Sequence, residues 1–456
     1  MLNSLKEYFK DKRILILGFG IEGQSTFRLL RKLFPDEILN VADINENLSE
    51  NLILTNDRLK VNFQSGTNYL KNINDYDLII KSPGIPLKNI SQGDFSKFSS
   101  HTELFIKIFR RQIIGITGTK GKSTTASLIH HIIKTYNNNC ILVGNIGIPP
   151  FDLIDEINNE TKIVFELSSH QLEMIHYSPR IAVLLNLFEE HLDHYKTFEK
   201  YQNAKLNIAL FQKRNDFFIF NADDPIINAL ISEKILKSKL LKFTLSHKDV
   251  KGCYISDNKI YYNGNYNKVV LNETEFNNLI GEHNLRNLLA AVSVLLVSGI
   301  PVEHIRTSVE SFKPLEHRIE FVGKFKDILY YNDSISTIPE ATIAAVTSLK
   351  NVDSLILGGF DRGISYNSLI KFLIKSNIRN LIFIGVAGNR MVKLYQSEEG
   401  NGKNIFWTSD FEEAVSYAIQ HTQKDMICLL SPAAASYDMF KNFIERGNRF
   451  KKLVSE

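Results

Sequence analysis

Short apolar runs alternate with helix-period stretches along nearly the whole chain. Residues 14–17 form such a run, followed by a glycine-rich turn and an amphipathic segment through Leu30; further runs fall at 38–42 and 77–80. Strand, turn and helix in that rhythm predict a small parallel α/β domain over residues 1–101. A second domain, 102–313, opens on the run 112–117 and contains strand patterns at 162–165, 181–187 and 217–220. Between Lys248 and Leu271 the chain is rich in Asn, Tyr, Gly and Lys with alternating apolar positions, which predicts hairpins ahead of a helix opened by Gly281, Glu282, His283 and Asn284. Over 314–456, strand patterns at 328–331, 354–357, 381–384, 404–407 and 426–430 separated by helical stretches predict another doubly wound sheet. The class is α/β in three domains, the first and last Rossmann-like and the middle one built on a parallel sheet.

Composition narrows what such a chain does. At roughly 150 residues per domain, 456 residues agree with three domains that each bury a core. Lys and Arg number 54 against 50 Asp and Glu, a formal charge of +4 with no basic block. That balance argues against a coat for nucleic acid or an acidic membrane and favours a small-molecule substrate. Cys140, Cys253 and Cys428 are odd in number and far apart, which suits a reducing cytoplasm rather than a disulfide framework or zinc site. The apolar run after the basic N-terminus is too short for a signal-peptide core. The longest apolar stretch, near 288–297, falls short of the roughly 20 residues a membrane span needs. A cytoplasmic protein without a membrane partner is expected.

Two glycine-rich turns carry the first chemistry. Gly18, Gly20 and Gly23 stand between a predicted strand and helix, and Asp43 follows 20 positions after Gly23. Glycines there let a backbone approach a diphosphate at a helix N-terminus, and the acid can hold a ribose or base. The diphosphate could belong to NAD, FAD or a UDP-sugar. The second turn is Gly118, Thr119, Lys120, Gly121, Lys122, Ser123 and Thr124, after an apolar strand and before the helix 126–136. Backbone amides of such a loop cradle a nucleoside triphosphate, its lysine offsets the charge, and its hydroxyl reaches Mg²⁺. Gly115 lies one residue too far from Gly121 for the strict P-loop spacing. Glu166 ends a predicted strand where a carboxylate can hold Mg²⁺ beside phosphates; the alternative is a solvent-exposed strand end. His191 lies in a segment of two histidines and three acids, 186–195, of which Asp193 and His194 are read as solvent-facing.

These pieces occur in the order found in the Mur ligases. The chain resembles that family end to end, through 117–124, Gly144-Asn145-Ile-Gly147, Glu166-Leu-Ser-Ser169, Asn221-Ala-Asp-Asp-Pro225, Gly281 to Asn287 and His317-Arg318. Within the family, Ser82-Pro-Gly84, Asn332-Asp333-Ser334, Ser431-Pro432 through Ser436, and Lys441-Asn442-Phe443 are similar to the glutamate-adding member. The Asp-Asn-Pro-Arg sequence of the diamino-acid-adding member is absent. Gly358, Gly359, Asp361, Arg362 and Gly363 stand in its place.

The resemblance implies a division of labour. The first domain would bind the UDP of a sugar nucleotide, the central one would be a P-loop-type ATPase domain, and the last would bind glutamate. The partners would be UDP-N-acetylmuramoyl-L-alanine and glutamate, joined by a monomeric ATP-dependent ligase through an acyl phosphate, with neither nucleic acid nor membrane involved. The resemblance gives catalytic roles to Lys122, His191 and Lys205. It places Ser123 and Glu166 on a first Mg²⁺ and His191 on a second, with Lys205 carrying a CO₂-derived carbamate as a metal ligand; otherwise Lys205 reads as a helix-surface lysine. Asn284, Asn287, Arg318 and Asp333 would surround ATP, Ser82 and Asn145 the sugar nucleotide, and Arg362, Ser436 and Phe443 the incoming glutamate. A hinge is expected near 312–314.

Lys120 stands where the family often has Asn, and Ile335 where it has Lys. The second change removes a positive charge; D-glutamate is the amino acid expected from the resemblance, in a step of peptidoglycan precursor synthesis, with an L-glutamate-adding variant as the alternative. The rival from another class is a nicotinamide-dependent oxidoreductase built on the first turn, which leaves Lys122, Ser123, Glu166 and His191 without a task. A non-catalytic nucleotide switch and a folate-polyglutamate ligase are the other readings.

Overall fold

The computed structural model describes residues 2–46, 60–85, 95–144, 148–248, 250–264, 267–276, 281–312, 316–349, 351–398 and 402–456. Among them, runs of Ile, Leu, Val and Phe buried on both faces form three sheets, the pattern of strands covered on each side by helices. In the first, Val61–Ser65, Leu39–Asp43, Ile14–Leu17, Leu78–Lys81 and Phe98–Ser100 lie in that order, all parallel. Chain order reverses at Ile14–Leu17, and such a switch point opens a crevice at the carboxyl ends of the strands. The turn 18–23 and Ser82 follow two of the strands that border it, and Asp43 ends a third.

The central sheet has nine strands. Parallel strands Gly252–Ser256, Lys239–Thr244, Phe217–Asn221, Ile181–Leu184, Ile113–Thr117, Lys162–Glu166 and Cys140–Gly144 follow one another. The antiparallel strands Lys259–Asn263 and Asn267–Leu271 extend the first of these as the hairpins expected from 248–271. Ile113–Thr117 sits between Ile181–Leu184 and Lys162–Glu166, so the phosphate-type loop that follows it opens between the ends of two neighbours. The third sheet, Glu320–Phe325, Ile328–Asn332, Ile427–Leu430, Val352–Gly358, Asn380–Ile384 and Asn404–Thr408, is parallel apart from its first pair.

The first two sheets share one apolar core, in which Phe27 and Leu30 join Phe105, Phe151 and Phe165. Polar ties reinforce the joint. Arg28 is bound to Asp152 in a fork, and Ser25 donates to the same carboxylate at 2.9 Å. By packing, therefore, Met1–Asn277 and His283–Phe312 form one compact unit, and Asn278–Glu282 with Lys313–Glu456 form another that has its own cores. Of the hinge expected near 312–314, only Phe312 lies within the described residues.

The three cysteines are free and buried, Cys140 and Cys253 in the first unit and Cys428 in the second. Burial pushes each thiol up to about 12. Among the described residues, no helix is long and apolar enough to cross a membrane.

Candidate functional site

The helix after Ile113–Thr117 begins at Lys122, four residues before the expected start, and runs to Asn137. Gly121 caps it with φ +83, and Gly118 has φ +154. A Cβ on Gly121 would stand 2.3 Å from Asn287 Oδ1, so the loop and the helix Glu282–Val297 approach closely only because that residue is glycine. Asn186 fastens the loop from the other side. Its carbonyl accepts from Thr119 N at 3.0 Å, its Oδ1 accepts from Lys120 N at 2.8 Å, and its Nδ2 donates to Lys120 O at 3.0 Å. Two loop amides are thereby spent on the fold. The helix start is where an anion would be favoured, since the first-turn N–H groups have no intrahelical acceptor and the dipole suits a negative charge. Lys122 Nζ folds back onto Gly118 O and Thr119 O at 2.9 and 2.8 Å.

Beneath the loop lies Lys205. The helix Phe198–Leu210 buries it to 2% exposure, which excludes the surface reading. Its Nζ donates to Gly118 O at 2.9 Å and stands 4.9 Å from the Tyr201 ring centroid. Burial, assisted by the positive charge of Lys122, holds the amine well below the usual lysine range. Glu190 and Glu166 oppose that shift, so both acids lie within electrostatic reach of Lys205. Glu166 itself is 1% exposed and pairs across the sheet with Ile116 and Gly144, so the exposed strand end does not hold either.

His191 is exposed and left-handed, φ +57, at the start of the short helix Leu192–Tyr195. Its ring lies against His170, 4.9 Å between centroids, and 6.2 Å from Tyr201. His194 departs from its solvent-facing reading: its side chain is 13% exposed, and Nε2 lies 3.1 Å from Glu173 Oε2. The tight turn of 192–195 folds it inward against His170. The side chain of Asp193 and all of Asn145 lie outside the described residues.

Oxygen donors suit Mg²⁺, which keeps several waters and binds substrate phosphates rather than filling an all-protein cage. The residues present fit that demand: Glu166 is a buried carboxylate beside the phosphate-type loop, and Ser123 is in the first turn of its helix. Among the described residues no group of three or more His, Cys, Asp or Glu could hold a metal by itself. Lys205 as an amine offers no oxygen and fits such a site only after modification.

The first-sheet turn assembles as expected. Asp43 Oδ2 accepts from Phe19 N at 2.6 Å, and Ser82 Oγ donates to Gly18 O at 2.9 Å. A Cβ on Gly23 would meet Gly18 O at 2.0 Å, whereas one on Gly20 would meet nothing. Two charged residues were not anticipated. Lys81 is buried and its Nζ donates to Ser82 O and Ile85 O at 3.0 and 2.8 Å, which shapes the Ser82 turn. Glu22, in the first turn of the helix Ile21–Leu33, accepts from Gln171 Nε2 at 2.6 Å, and burial raises its carboxyl to about 7. A charge at the end of an apolar run, and an acid inside a glycine turn, were the available signals.

In the second unit, Asp333 is buried, accepting from Ser431 Oγ at 2.7 Å and Ile319 N at 3.2 Å; burial raises it to about 6, against the pull of Ser336, Ser431 and Arg318. Arg446, 1% exposed, ties Ser334 to Ala434 and Ala435 through four hydrogen bonds. Phe360 N donates to Ala435 O at 2.9 Å, which draws the loops carrying Arg362 and Ser436 together. Arg362 is exposed and donates to Thr337 O at 2.6 Å, Ser436 is buried, and Phe443 is half-buried against His317. Asn284 and Asn287 belong to the first unit; Arg318 and Asp333 belong to the second.

Known proteins match this arrangement. The Mur ligase middle domain matches residues 116–295, and the Mur ligase glutamate ligase domain matches 317–434. The UDP-N-acetylmuramoylalanine–D-glutamate ligase of Clostridium tetani is 34% identical over 459 residues, covering 99% of this chain and 98% of its own. Its counterpart from Clostridioides difficile is 35% identical, covering 98% and 99%. Among solved structures, the MurF ligase of Thermotoga maritima in complex with ADP aligns over 97% of this chain and 95% of its own with a TM-score of 0.58 at 16% identity, a likeness of fold.

Proposed function

The chain belongs to the Mur ligase family, and on that premise we propose that it joins D-glutamate to UDP-N-acetylmuramoyl-L-alanine with ATP, a step of peptidoglycan precursor synthesis. It is an ATP-dependent ligase that forms an amide bond between an acid and an amino acid. The observation that carries this is the near-full-length identity to D-glutamate ligases, in a chain that also holds two anion-type glycine turns on one compact unit.

The chemistry runs in two displacements. A carboxylate oxygen of the L-alanine residue attacks the γ-phosphorus of ATP, and ADP leaves. The resulting acyl phosphate is attacked at its carbonyl carbon by the glutamate amine: the C–N bond forms, the C–O bond to phosphate breaks, and the amine gives up a proton. Phosphoryl transfer of this kind depends on positioning and charge neutralisation more than on covalent catalysis. Gly118 to Thr124 form the ATP loop in this reading, with the amides at the helix start on the phosphates, and Lys122 moves from its carbonyl partners to the γ-phosphate. Ser123, Glu166 and His191 would hold Mg²⁺, which when bound neutralises phosphate charge. Lys205, whose charged form its surroundings disfavour, is suited to take up CO₂; the carbamate would supply the oxygen that the amine lacks.

The turn 18–23 with Asp43 and Ser82 takes the UDP group, and Arg362, Ser436 and Phe443 receive glutamate, a cation and a hydroxyl for two carboxylates. Arg318 and Asp333 complete the ATP site on domain closure, with domains at 1–101, 102–313 and 314–456. The enzyme works as a cytoplasmic monomer. The test is phosphate release from UDP-N-acetylmuramoyl-L-alanine, ATP and Mg²⁺ with each glutamate enantiomer. D-glutamate stimulates release and L-glutamate does not; stimulation by neither overturns the assignment, and stimulation by L-glutamate alone overturns the stereochemistry.

A further inference from the structure

The loop 358–366 carries Arg362, and its two ends are fastened by different means. At the Gly358 end the ties are backbone ones: Gly358 N to Pro432 O at 2.7 Å, Gly359 N to Ile384 O at 2.9 Å and Phe360 N to Ala435 O at 2.9 Å. At the far end Ile364 and Tyr366 pack on the core, and polar ties come from a side chain. Arg390, on the helix Gly385–Ser397, sets its guanidinium 3.2 Å from Asp361 Oδ1, donates from Nη2 to Ile364 O, and lies over the Tyr366 ring at 4.6 Å from the centroid. Asp361 Oδ1 also accepts from Gly363 N at 2.9 Å, so the carboxylate that Arg390 holds closes the turn around Arg362.

The helix meets the loop twice on one face. Ala387 N donates to Gly359 O at 2.9 Å, and Arg390 stands three residues later, where a helix brings side chains to the same side. A Cβ on Gly358 would meet Gly388 Cα at 2.9 Å, which shows how closely the two segments approach. Arg362 thus sits in mid-loop, exposed, between a sheet-anchored end and an end anchored by a planar fork stacked on an aromatic ring. Guanidinium suits that task where ammonium does not, because it can serve a carboxylate, a carbonyl and a ring face at once.

We propose that Arg390 is a positioning residue for the amino-acid substrate: it fixes the loop so that Arg362 meets a glutamate carboxylate already in place. The inference rests on the reading of Arg362 as a glutamate ligand. Immobilising a loop before the substrate arrives removes an ordering cost from binding, so its loss raises KM for that substrate alone.

The experiment is steady-state kinetics on the full chain with Arg390→Met, Arg390→Lys, Asp361→Asn and Arg362→Met, each substrate varied in turn. Arg390→Met raises KM for glutamate by on the order of tenfold, while KM for ATP and for the UDP-sugar substrate stays within about twofold. The two unchanged constants also report a folded enzyme. Arg390→Lys recovers part of the loss, and Asp361→Asn, which keeps the bulk and loses the charge, shifts the same constant in the same direction. An unchanged glutamate KM in both Arg390→Met and Asp361→Asn, with Arg362→Met impaired, overturns the positioning role alone. An unchanged glutamate KM in Arg362→Met overturns the ligand reading and the proposal with it. A uniform rise in all three constants for Arg390→Met marks a merely structural residue and also overturns it.

Discussion

Lys205 and Glu22 are titratable groups displaced in opposite senses by the same cause. Burial makes each charged form costly, so the amine falls and the carboxyl rises. For Lys205 the consequence is reactivity. A neutral amine adds to CO₂ and loses a proton, while an ammonium cannot, so the lowered basicity of Lys205 agrees with the carbamate proposed above. Activity should fall when bicarbonate is stripped from the assay and return when it is restored, and Lys205→Ala should lose activity at any bicarbonate concentration. Full activity of that variant at ordinary bicarbonate would rule the carbamate out. For Glu22 the consequence is stability. Its carboxyl keeps a proton in the folded chain up to about pH 7, whereas the unfolded chain releases it near 4.5. The folded state therefore binds more protons across that window, and stability falls as pH rises through it. Glu22→Gln removes the titration, so its melting midpoint should drop less than the parent's between pH 5 and pH 8, at the lower and upper edges of the window. Equal drops would show that Glu22 does not titrate there.

Elements are shaped by what their ends must do. The strand pattern at 181–187 stops at Leu184 because the next three residues serve the phosphate loop and its surroundings. Leu185 N donates to Thr117 O, Asn186 clamps Thr119 and Lys120, and Leu187 N donates to Asp224 Oδ2. Hydrophobic pattern could not reveal that, since Leu185 and Leu187 are as apolar as a strand requires. The glycine turns were legible because conformation and close approach leave little choice of residue there. Asn186 and Tyr201 were not, because their roles depend on contacts across 66 and 82 positions of sequence. Phe98–Ser100 has only three residues, too few for a period to emerge, and Val61–Ser65 is mostly half-exposed at a sheet edge. Gly121→Ala tests the loop–helix contact directly. A left-handed backbone costs a non-glycine residue about 1–2 kcal/mol, and here the new carbon also strikes Asn287. ATP affinity measured by calorimetry should fall at least tenfold, with affinity for the UDP-sugar kept; retained ATP affinity would show that the loop can rearrange.

At the scale of the whole molecule, three sheets resolve into two units of packing, a grouping that composition and length could not foresee. Three repeats of strand and helix suggest three independent bodies, yet Phe27, Phe105 and Phe165 meet in one cluster, so the first two sheets stand or fall together. Residues that the resemblance assigns to one ATP site, Asn287 and Arg318 among them, come from both units. The modest net charge was likewise a poor guide: the cations given roles in the proposals above, Lys122, Arg318, Arg362 and Arg390, are four among 54.

The distribution of thiols gives this architecture its own set of reporters. Cys140 and Cys253 stand in one unit and Cys428 in the other, all buried, and none is among the residues assigned to substrate or metal. Reagents for cysteine should leave the native chain untouched and mark each thiol only as its surroundings open. Under rising urea, mass mapping of the adducts should find Cys140 and Cys253 labelled together, and Cys428 on a schedule of its own. A chain with no engineered dye can in this way record which half of the enzyme lets go first.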